Sequence, residues 1–241
     1  MNTPTPDCAA PAVEALADDA WLLTFGAAID PAVNARVHAL AARLREAPAP
    51  WLLDLVPAYA SLGVFFDPRR VAADQALDCL LREAAATEAP GSSGPARTVE
   101  VPVAYGGELG PDLDRAAGEL GLTPAALVQR HVAGRYRVAM IGFSPGFPYL
   151  SGLDPALALP RLATPRTRVP AGSVAIGGAQ TGIYPREGPG GWRLLGRTPL
   201  QLFDPQREPP AVLAPGDQVR LRAIDPDEFA RLAETPWNTG Q

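Results

Sequence analysis

The segment TPRTRVPAGSVAIGGAQTGIYP, residues 164–185, decides how the second half of this chain folds. Short apolar stretches alternate in it with glycine and proline, and GFSPGFPYL (142–150) and GPGGWRLLGRTP (188–199) have a similar composition. Glycine permits positive φ and lets neighbouring groups approach the backbone, whereas proline fixes φ and removes a donor. This pattern predicts short strands joined by rigid turns, as in a sandwich or a closed barrel.

Strand-like stretches lie in and around this region, at Tyr136–Phe143, Ser173–Ile176, Trp192–Gly196, Gln201–Phe203 and Gln218–Ala223. Short helical stretches precede most of them, near 112–119 and 124–133. We therefore predict a β-barrel domain over residues 93–225, followed by a C-terminal tail at 226–241.

The first half predicts a smaller α/β domain over residues 18–92, after a flexible tail at 1–17. A strand at Ala20–Gly26 precedes an amphipathic helix, and two strands and a second helix follow. With a further strand at Thr98–Ala104 the order is β-α-β-β-α-β, the ferredoxin-like arrangement, and the fold class is α+β. A flexible connector, Thr87–Arg97, precedes that last strand, which can therefore belong to either domain.

The composition is that of an ordinary globular chain of 241 residues, with 47% hydrophobic and 20% charged residues and a net charge of −5. A negative net charge argues against binding to nucleic acid or to an anionic membrane. The sequence has no apolar run of transmembrane length and no signal-peptide pattern, so we expect a cytoplasmic protein.

All 21 basic residues are arginines, which excludes a P-loop, a Schiff-base enzyme and an attached biotin, since each of these needs a lysine. The two histidines and two cysteines lie far apart, so we expect no metal site built from them.

Positive charge is concentrated in residues 160–199, where six arginines and one glutamate give a net charge of +5. The remainder of the chain must then carry −10. Arginine binds carboxylates and phosphates through paired N–H donors, so this asymmetry predicts a local anion site. The predicted ligands of the substrate or nucleotide are Arg166, Arg168, Gln180, Thr181, Tyr184 and Arg186.

Two residues are candidates for proton transfer in catalysis. Glu187 is the only acid in the basic segment and can act as a general base or pair with Arg186. His131 can act as a proton shuttle, or it can be a packing residue near a helix end. Ser144 is a poor nucleophile although GFSPG matches G-x-S-x-G, because the next residue is a proline without an N–H for the oxyanion hole. The predicted loop-shaping residues are Gly142, Pro145, Gly146, Gly177 and Gly178.

Taken together, these segments resemble the family of KipI and the 5-oxoprolinase B subunit, also called allophanate hydrolase subunit 1, over about residues 20–225. The matching strings include YGGELGPDL (105–113), YRVAMIGFSPGFPYLSGLD (136–154) and PGDQVRLRAI (215–224). The resemblance implies that the barrel is cyclophilin-like and is a carboxyltransferase-type domain.

The resemblance also implies an activity. With A and C subunits, the family forms an ATP-dependent 5-oxoprolinase that opens 5-oxo-L-proline to L-glutamate. The resemblance further implies ATP, with magnesium, bound together with a partner subunit, and a chain that is inactive alone. Two alternatives stay open: a KipI-like inhibitor of a sensor histidine kinase, and a carboxyltransferase or allophanate hydrolase-type subunit of urea metabolism.

Overall fold

The computed structural model of the protein describes residues 10–87 and 97–234. The chain divides into two compact units, Met1–Pro95 and Ala96–Gln241. Apart from its two end residues, the expected connector Thr87–Arg97 lies outside the described residues. No helix within the described ranges is long and apolar enough to cross a bilayer.

The N-terminal unit contains a four-stranded antiparallel sheet and two helices. Its elements are β1 (Ala12–Ala17), β2 (Ala20–Thr24), α1 (Pro31–Glu46), β3 (Leu52–Pro57), β4 (Ser61–Phe66) and α2 (Ala73–Ala86). The strand order is β1-β2-β4-β3. Apolar side chains of both helices and of β2, β3 and β4 form its core, because each helix buries one apolar stripe against the sheet. α1 begins at Pro31 behind Asp30, whose carboxylate accepts the N–H groups of Ala32 and Val33.

The expected ferredoxin-like arrangement is wrong at both ends. The strand expected at Thr98–Ala104 is part of the barrel, where it pairs with two barrel strands. The sheet edge beside β2 is taken instead by β1, which lies in the segment 1–17 expected to be a tail. The side chains of β1 are exposed apart from the half-buried Val13. Because neither face of the strand is buried, its sequence shows no alternation of apolar and polar residues that would predict a strand.

The second unit is built around a barrel. Its elements are β5 (Thr98–Tyr105), α3 (Leu113–Glu119), α4 (Pro124–Ala133), β6 (Tyr136–Ile141), β7 (Pro148–Ser151), a short 3-10 helix (Pro155–Leu157), β8 (Arg166–Val169), β9 (Ser173–Gly177), β10 (Gln180–Ile183), β11 (Gly188–Gly190), β12 (Arg193–Arg197), β13 (Gln218–Ile224) and α5 (Pro226–Ala233). Seven strands close the barrel in the order β10-β7-β6-β13-β5-β12-β9, which confirms the predicted closed barrel. β8 and β11 form a separate two-stranded ribbon.

The barrel interior is filled by apolar side chains that alternate with polar ones along the strands. On β13, Val219 and Leu221 are buried whereas Gln218 and Arg220 are exposed. β13 pairs along its whole length with β5, in parallel, but with β6 only at Gln218 and Val219. One side of β13 is therefore largely free of strand pairing.

Two further expectations about the second unit need correction. The expected tail at 226–241 begins with α5, which Asp225 caps by accepting the N–H of Glu228 at 2.7 Å. The expected strand at Gln201–Phe203 is reduced to a single bridge between Phe203 and Ala211. Both errors concern short segments in which the sequence signals are ambiguous, because cap and turn residues occur in tails and loops as well as beside helices and strands.

Candidate functional site

The predicted site residues all lie in the barrel unit, but the structure places them in different environments. His131 and Thr181 are completely buried, and Tyr184 is 3% exposed. Arg168, Arg186 and Glu187 are exposed on the outside, and Gln180 is half-buried at the start of β10. The predicted residues therefore do not form one site.

His131 belongs to a chain of buried hydrogen bonds. Thr181 donates its hydroxyl to the carbonyl of Ala175 at 2.9 Å and lies 3.0 Å from His131 Nε2. Because that hydroxyl proton is used, Nε2 must carry the hydrogen and donate to Thr181 Oγ1. Nδ1 is then the acceptor for the hydroxyl of Tyr105 at 2.8 Å. Each of these side-chain polar atoms therefore has a hydrogen-bond partner.

Burial lowers the pKa of His131 from 6.5 to about 3, so the imidazole is neutral near neutral pH. The Tyr136 hydroxyl also donates to the backbone carbonyl of His131 at 2.6 Å. With both ring nitrogens occupied and no exposed surface, this side chain does not reach a substrate. The proton-shuttle role of His131 and the ligand role of Thr181 stay predictions, which this buried arrangement does not support.

Glu187 lies immediately before β11, where it contacts Arg168 of β8. The distance from Arg168 Nε to Glu187 Oε2 is 2.7 Å, and both side chains are at least half exposed. Of the two expected roles, pairing with Arg186 is not what the structure shows, because the partner of Glu187 is Arg168 instead. An exposed pair of this kind contributes little to stability.

The basic segment 160–199 does not converge on one anion site. Four of its arginines are held by other groups of the protein: Arg166, Arg168, Arg193 and Arg197. Arg193 is buried and contacts Glu119 at 3.0 Å. The remaining two are Arg161 and Arg186, and Arg186 has no hydrogen-bond or ion-pair partner within residues 10–87 and 97–234.

Arg166 is mainly a structural residue. Its Nη2 contacts Asp112 Oδ1 at 2.7 Å, and the other carboxylate oxygen accepts the N–H of Leu194 at 2.7 Å. Asp112 precedes α3, so this ion pair joins the start of α3 to β8 and β12. Nη1 of Arg166 is buried without a partner in the described chain.

Five aromatic side chains form the most distinctive surface of the barrel unit, here called the aromatic face: Phe143, Phe147, Tyr149, Tyr184 and Trp192. Ring centroids of neighbours lie 4.8–6.3 Å apart, mostly edge to face. Phe147, Tyr184 and Trp192 are buried, whereas Phe143 is 64% exposed. Exposed aromatic rings above a buried cluster are typical of a binding surface.

The turn that carries Phe143 is rigidly built. Gly142 donates its N–H to the carbonyl of Phe147 at 3.1 Å, and Pro145 lies exposed at the tip. Gly146 has φ of +78° and packs so closely on a neighbouring side chain that a Cβ would clash. Phe143 itself has φ of +64°, which is costly for a bulky residue. Such strain is found where a side chain must be presented in one position.

Gly177 and Gly178 support the aromatic face from below. A Cβ on Gly177 would lie 2.5 Å from the Trp192 ring, so only glycine lets the indole pack there. Gly178 has φ of +65° and donates its N–H to the carbonyl of Leu159 at 2.7 Å.

Positive charge borders the aromatic face. The guanidinium carbon of Arg161 lies 5.6 Å from the Trp192 ring centroid, within the range of a cation–π contact. Burial raises the pKa of Tyr184 and of Tyr149, and the charge of Arg161 opposes that rise in both. Both phenols therefore stay protonated near neutral pH and can donate hydrogen bonds. Aromatic rings beside a guanidinium group suit a small planar anion.

Sequence reasoning marked the loops that carry the aromatic face but did not single out Phe143, Arg161 or Trp192. Phe143 stands inside the GFSPGF string, so an aromatic residue among turn residues was the available signal. Arg161 was visible only as one charge among six, because its neighbour Trp192 is distant in sequence.

The chain matches the family model described as the carboxyltransferase domain, subdomain C and D, over residues 11–213, and it belongs to that family. It is 42% identical to the 5-oxoprolinase B subunit of Bacillus subtilis (strain 168), over 92% of this chain and 96% of that protein. This match confirms the resemblance inferred from the loop sequences.

Two solved structures are similar. TTHA0988 is 44% identical, with a TM-score of 0.76, over 86% of this chain and 40% of that chain. This chain therefore spans less than half of TTHA0988. The K. lactis urea amidolyase is 21% identical, with a TM-score of 0.76, over 95% of this chain and 16% of that one, and shares the fold.

Proposed function

We propose that this chain is the B subunit of an ATP-dependent 5-oxoprolinase. The observation that carries this proposal is the 42% identity to a 5-oxoprolinase B subunit across nearly its whole length. In the proposed reaction, ATP phosphorylates the lactam oxygen of 5-oxo-L-proline and releases ADP. One water then adds to the activated carbon and the C–N bond breaks to give an acyl phosphate, which a second water hydrolyses to L-glutamate and phosphate. The sum is ATP, 5-oxo-L-proline and two waters giving L-glutamate, ADP and phosphate.

We propose the aromatic face as the part of this chain that contacts the substrate. 5-Oxo-L-proline is a small, flat ring with one carboxylate. The exposed Phe143 offers an apolar surface for the ring, and Arg161 offers a charge for the carboxylate. In this arrangement the chain binds and orients the substrate, with Arg186 and Glu187 exposed within the same basic segment.

The active site of this proposal is shared with partner A and C subunits, and the chain alone is inactive. Support comes from Phe143, a strained and exposed aromatic residue of the kind that packs against another polypeptide. TTHA0988 gives further support, since a region like this chain makes up 40% of a longer polypeptide there. ATP and its magnesium ion bind in the assembled complex, where this chain and a partner subunit meet, and the complex is cytoplasmic, where ATP is available.

The test is to assemble this chain with candidate A and C subunits and to measure glutamate release that depends on both ATP and 5-oxo-L-proline. The expected result is turnover by the complex and none by this chain alone. Arg161→Gln should raise KM about tenfold or more, since a charge-assisted hydrogen bond contributes about 1.5–3 kcal/mol. Phe143→Ala should also raise KM, because it removes the apolar surface proposed for the ring of the substrate. Arg82→Gln, an exposed helix residue of the other unit, is the charge-matched control.

An assembled complex that released no glutamate would contradict the proposal. Normal turnover with unchanged KM in both variants would instead remove the aromatic face from the substrate site. The kinase-inhibitor and urea-metabolism alternatives stay predictions. A complex that acted on urea with a biotin carrier, and not on 5-oxo-L-proline, would favour the second of them.

A further inference from the structure

We infer that the barrel unit contains a second anion site, separate from the aromatic face, which binds the phosphate chain of a small phosphorylated molecule. The site is a groove of about 600 Å³ between the end of α4, the start of β6 and the open side of β13. Four arginines line it, Arg135, Arg137, Arg220 and Arg222, and they define the arginine groove. It has no residue in common with the aromatic face.

The strand register explains why the charges meet. Arg137 pairs with Gln218 and Tyr136 with Val219 in the antiparallel ladder of β6 and β13. Continuing that register places Arg135 opposite Arg220. Like charges directly across two strands repel each other, and the ladder ends where this pair would stand. An anion between the strands would remove the repulsion.

The charges of the groove are only partly balanced by the protein, in which Glu100 stands opposite Arg220 in the ladder of β5 and β13. Arg222 pairs with Glu100 at 2.7 Å and with Glu228 at 2.9 Å. Arg135, Arg137 and Arg220 have no ion pair or side-chain hydrogen bond in the described part of the chain. Glu100 is the only acid that lines the groove there, and it is used by Arg222.

Arg137 also shows a donor without an acceptor. Its Nε is buried and has no hydrogen-bond partner within the described ranges. Such a donor is costly to leave unpaired, and a rotation of the Arg137 side chain towards the groove would let a phosphate oxygen satisfy it. The carbonyls at the end of α4 contribute only about −0.5 charge, too little to neutralise three guanidinium groups.

Size and geometry favour a phosphate chain over a single carboxylate. The groove volume lies within the ~300–1,000 Å³ usual for small-molecule sites. Each guanidinium can bind two phosphate oxygens through parallel N–H groups, and three of them match the several charges of a diphosphate or triphosphate. A monocarboxylate such as 5-oxo-L-proline would neutralise only one.

The experiment measures binding to the full chain alone by calorimetry, with pyrophosphate and ATP as probes, at low and high salt. Intact protein should bind both, more weakly at high salt. Arg137→Gln and Arg220→Gln should each weaken binding about tenfold or more, whereas Arg82→Gln should bind as intact protein does. If pyrophosphate and ATP bind with equal affinity, the groove recognises only the phosphate chain. If ATP binds more tightly than pyrophosphate, the groove also contacts the nucleoside.

Thermal melting distinguishes a variant that binds weakly from one that is less stable. Arg220 is exposed, so Arg220→Gln should melt no lower than intact protein without ligand, and pyrophosphate should raise the melting temperature of intact protein only. The inference is overturned if intact protein binds neither probe, or if the groove variants bind both unchanged. It is also overturned if a polyglutamate peptide binds more tightly than pyrophosphate, because the groove is then a binding site for an acidic protein segment. Since the assay needs no turnover, its failure is distinct from failure of the proposed 5-oxoprolinase activity.

Discussion

The buried imidazole of His131 makes the stability of the barrel unit depend on pH in a way that can be measured. In the folded chain burial lowers its pKa to about 3, whereas the ordinary value is 6.5. Above pH 6.5 the imidazole is neutral in both the folded and the unfolded chain, so its protonation does not lower the free energy of unfolding. As pH falls below 6.5, the unfolded chain binds a proton that the folded chain excludes, and stability is lost.

The magnitude follows from the two pKa values. Stability should fall with a slope approaching about 1.4 kcal/mol per pH unit, and the loss between pH 8 and pH 5 should be about 2 kcal/mol. Asp67 and Glu119 have lowered pKa values because neighbouring arginines donate to them. As carboxyls they titrate mostly below pH 5, so the chosen range isolates the histidine.

The assay is urea unfolding at pH 8 and pH 5, followed by near-ultraviolet circular dichroism, to which the aromatic face contributes. His131→Gln keeps a donor and an acceptor but cannot bind a proton, so it should lose the pH dependence while being less stable at pH 8. His38→Gln removes the chain's other histidine and is the matched control, which should keep the dependence. Equal losses in intact protein and His131→Gln, or no loss in intact protein, would refute the reasoning.

Three further variants test the packing of the barrel unit. Thr181→Val removes the hydroxyl that joins the imidazole to a backbone carbonyl, so urea unfolding should show a loss of about 2–5 kcal/mol, and Thr181→Ser should restore most of it. Arg166→Gln leaves the buried carboxylate of Asp112 unpaired; because the arginine is 30% exposed, we expect a loss of about 1–3 kcal/mol, and an unchanged melting temperature would contradict the structural role. Gly177→Ala places a Cβ 2.5 Å from the Trp192 ring and should cost about 1–3 kcal/mol by thermal melting, whereas a neutral effect would show that the indole can move.

Much of the fold could be predicted because its signals are local. The cap Thr123 and the proline after it predicted α4, and the structure confirms it, with the Thr123 hydroxyl accepting the N–H of Ala126 at 3.1 Å. Glycine and proline spacing likewise predicted the barrel. β1 could not be found in this way, because its side chains bury little apolar surface and its backbone pairing with β2 leaves no hydropathy pattern.

The strand at Thr98–Ala104 shows a different limit. Its sequence predicts a strand correctly, but its partner strand in the parallel pair, Gln218–Ile224, lies 120 residues later along the chain. Which of two sheets a strand joins depends on pairing with residues distant in the sequence. The alternation of side chains within the strand carries no information about that pairing. The order of elements therefore left both domains open for this strand.

The same limit explains why counting arginines did not separate the paired guanidinium groups from the unpaired ones. Charge count measures how many guanidinium groups are present, whereas a binding site needs the ones that the protein leaves unpaired. Arg166 and Arg193 are neutralised by Asp112 and Glu119, which lie 54 and 74 residues earlier in the sequence. The unpaired groups of the arginine groove lie outside segment 160–199, in the strings RYR (135–137) and RLR (220–222), which stand 83 residues apart in the sequence. What distinguishes them is that two antiparallel strands bring like charges together without an acid between, and that juxtaposition exists only in the folded barrel.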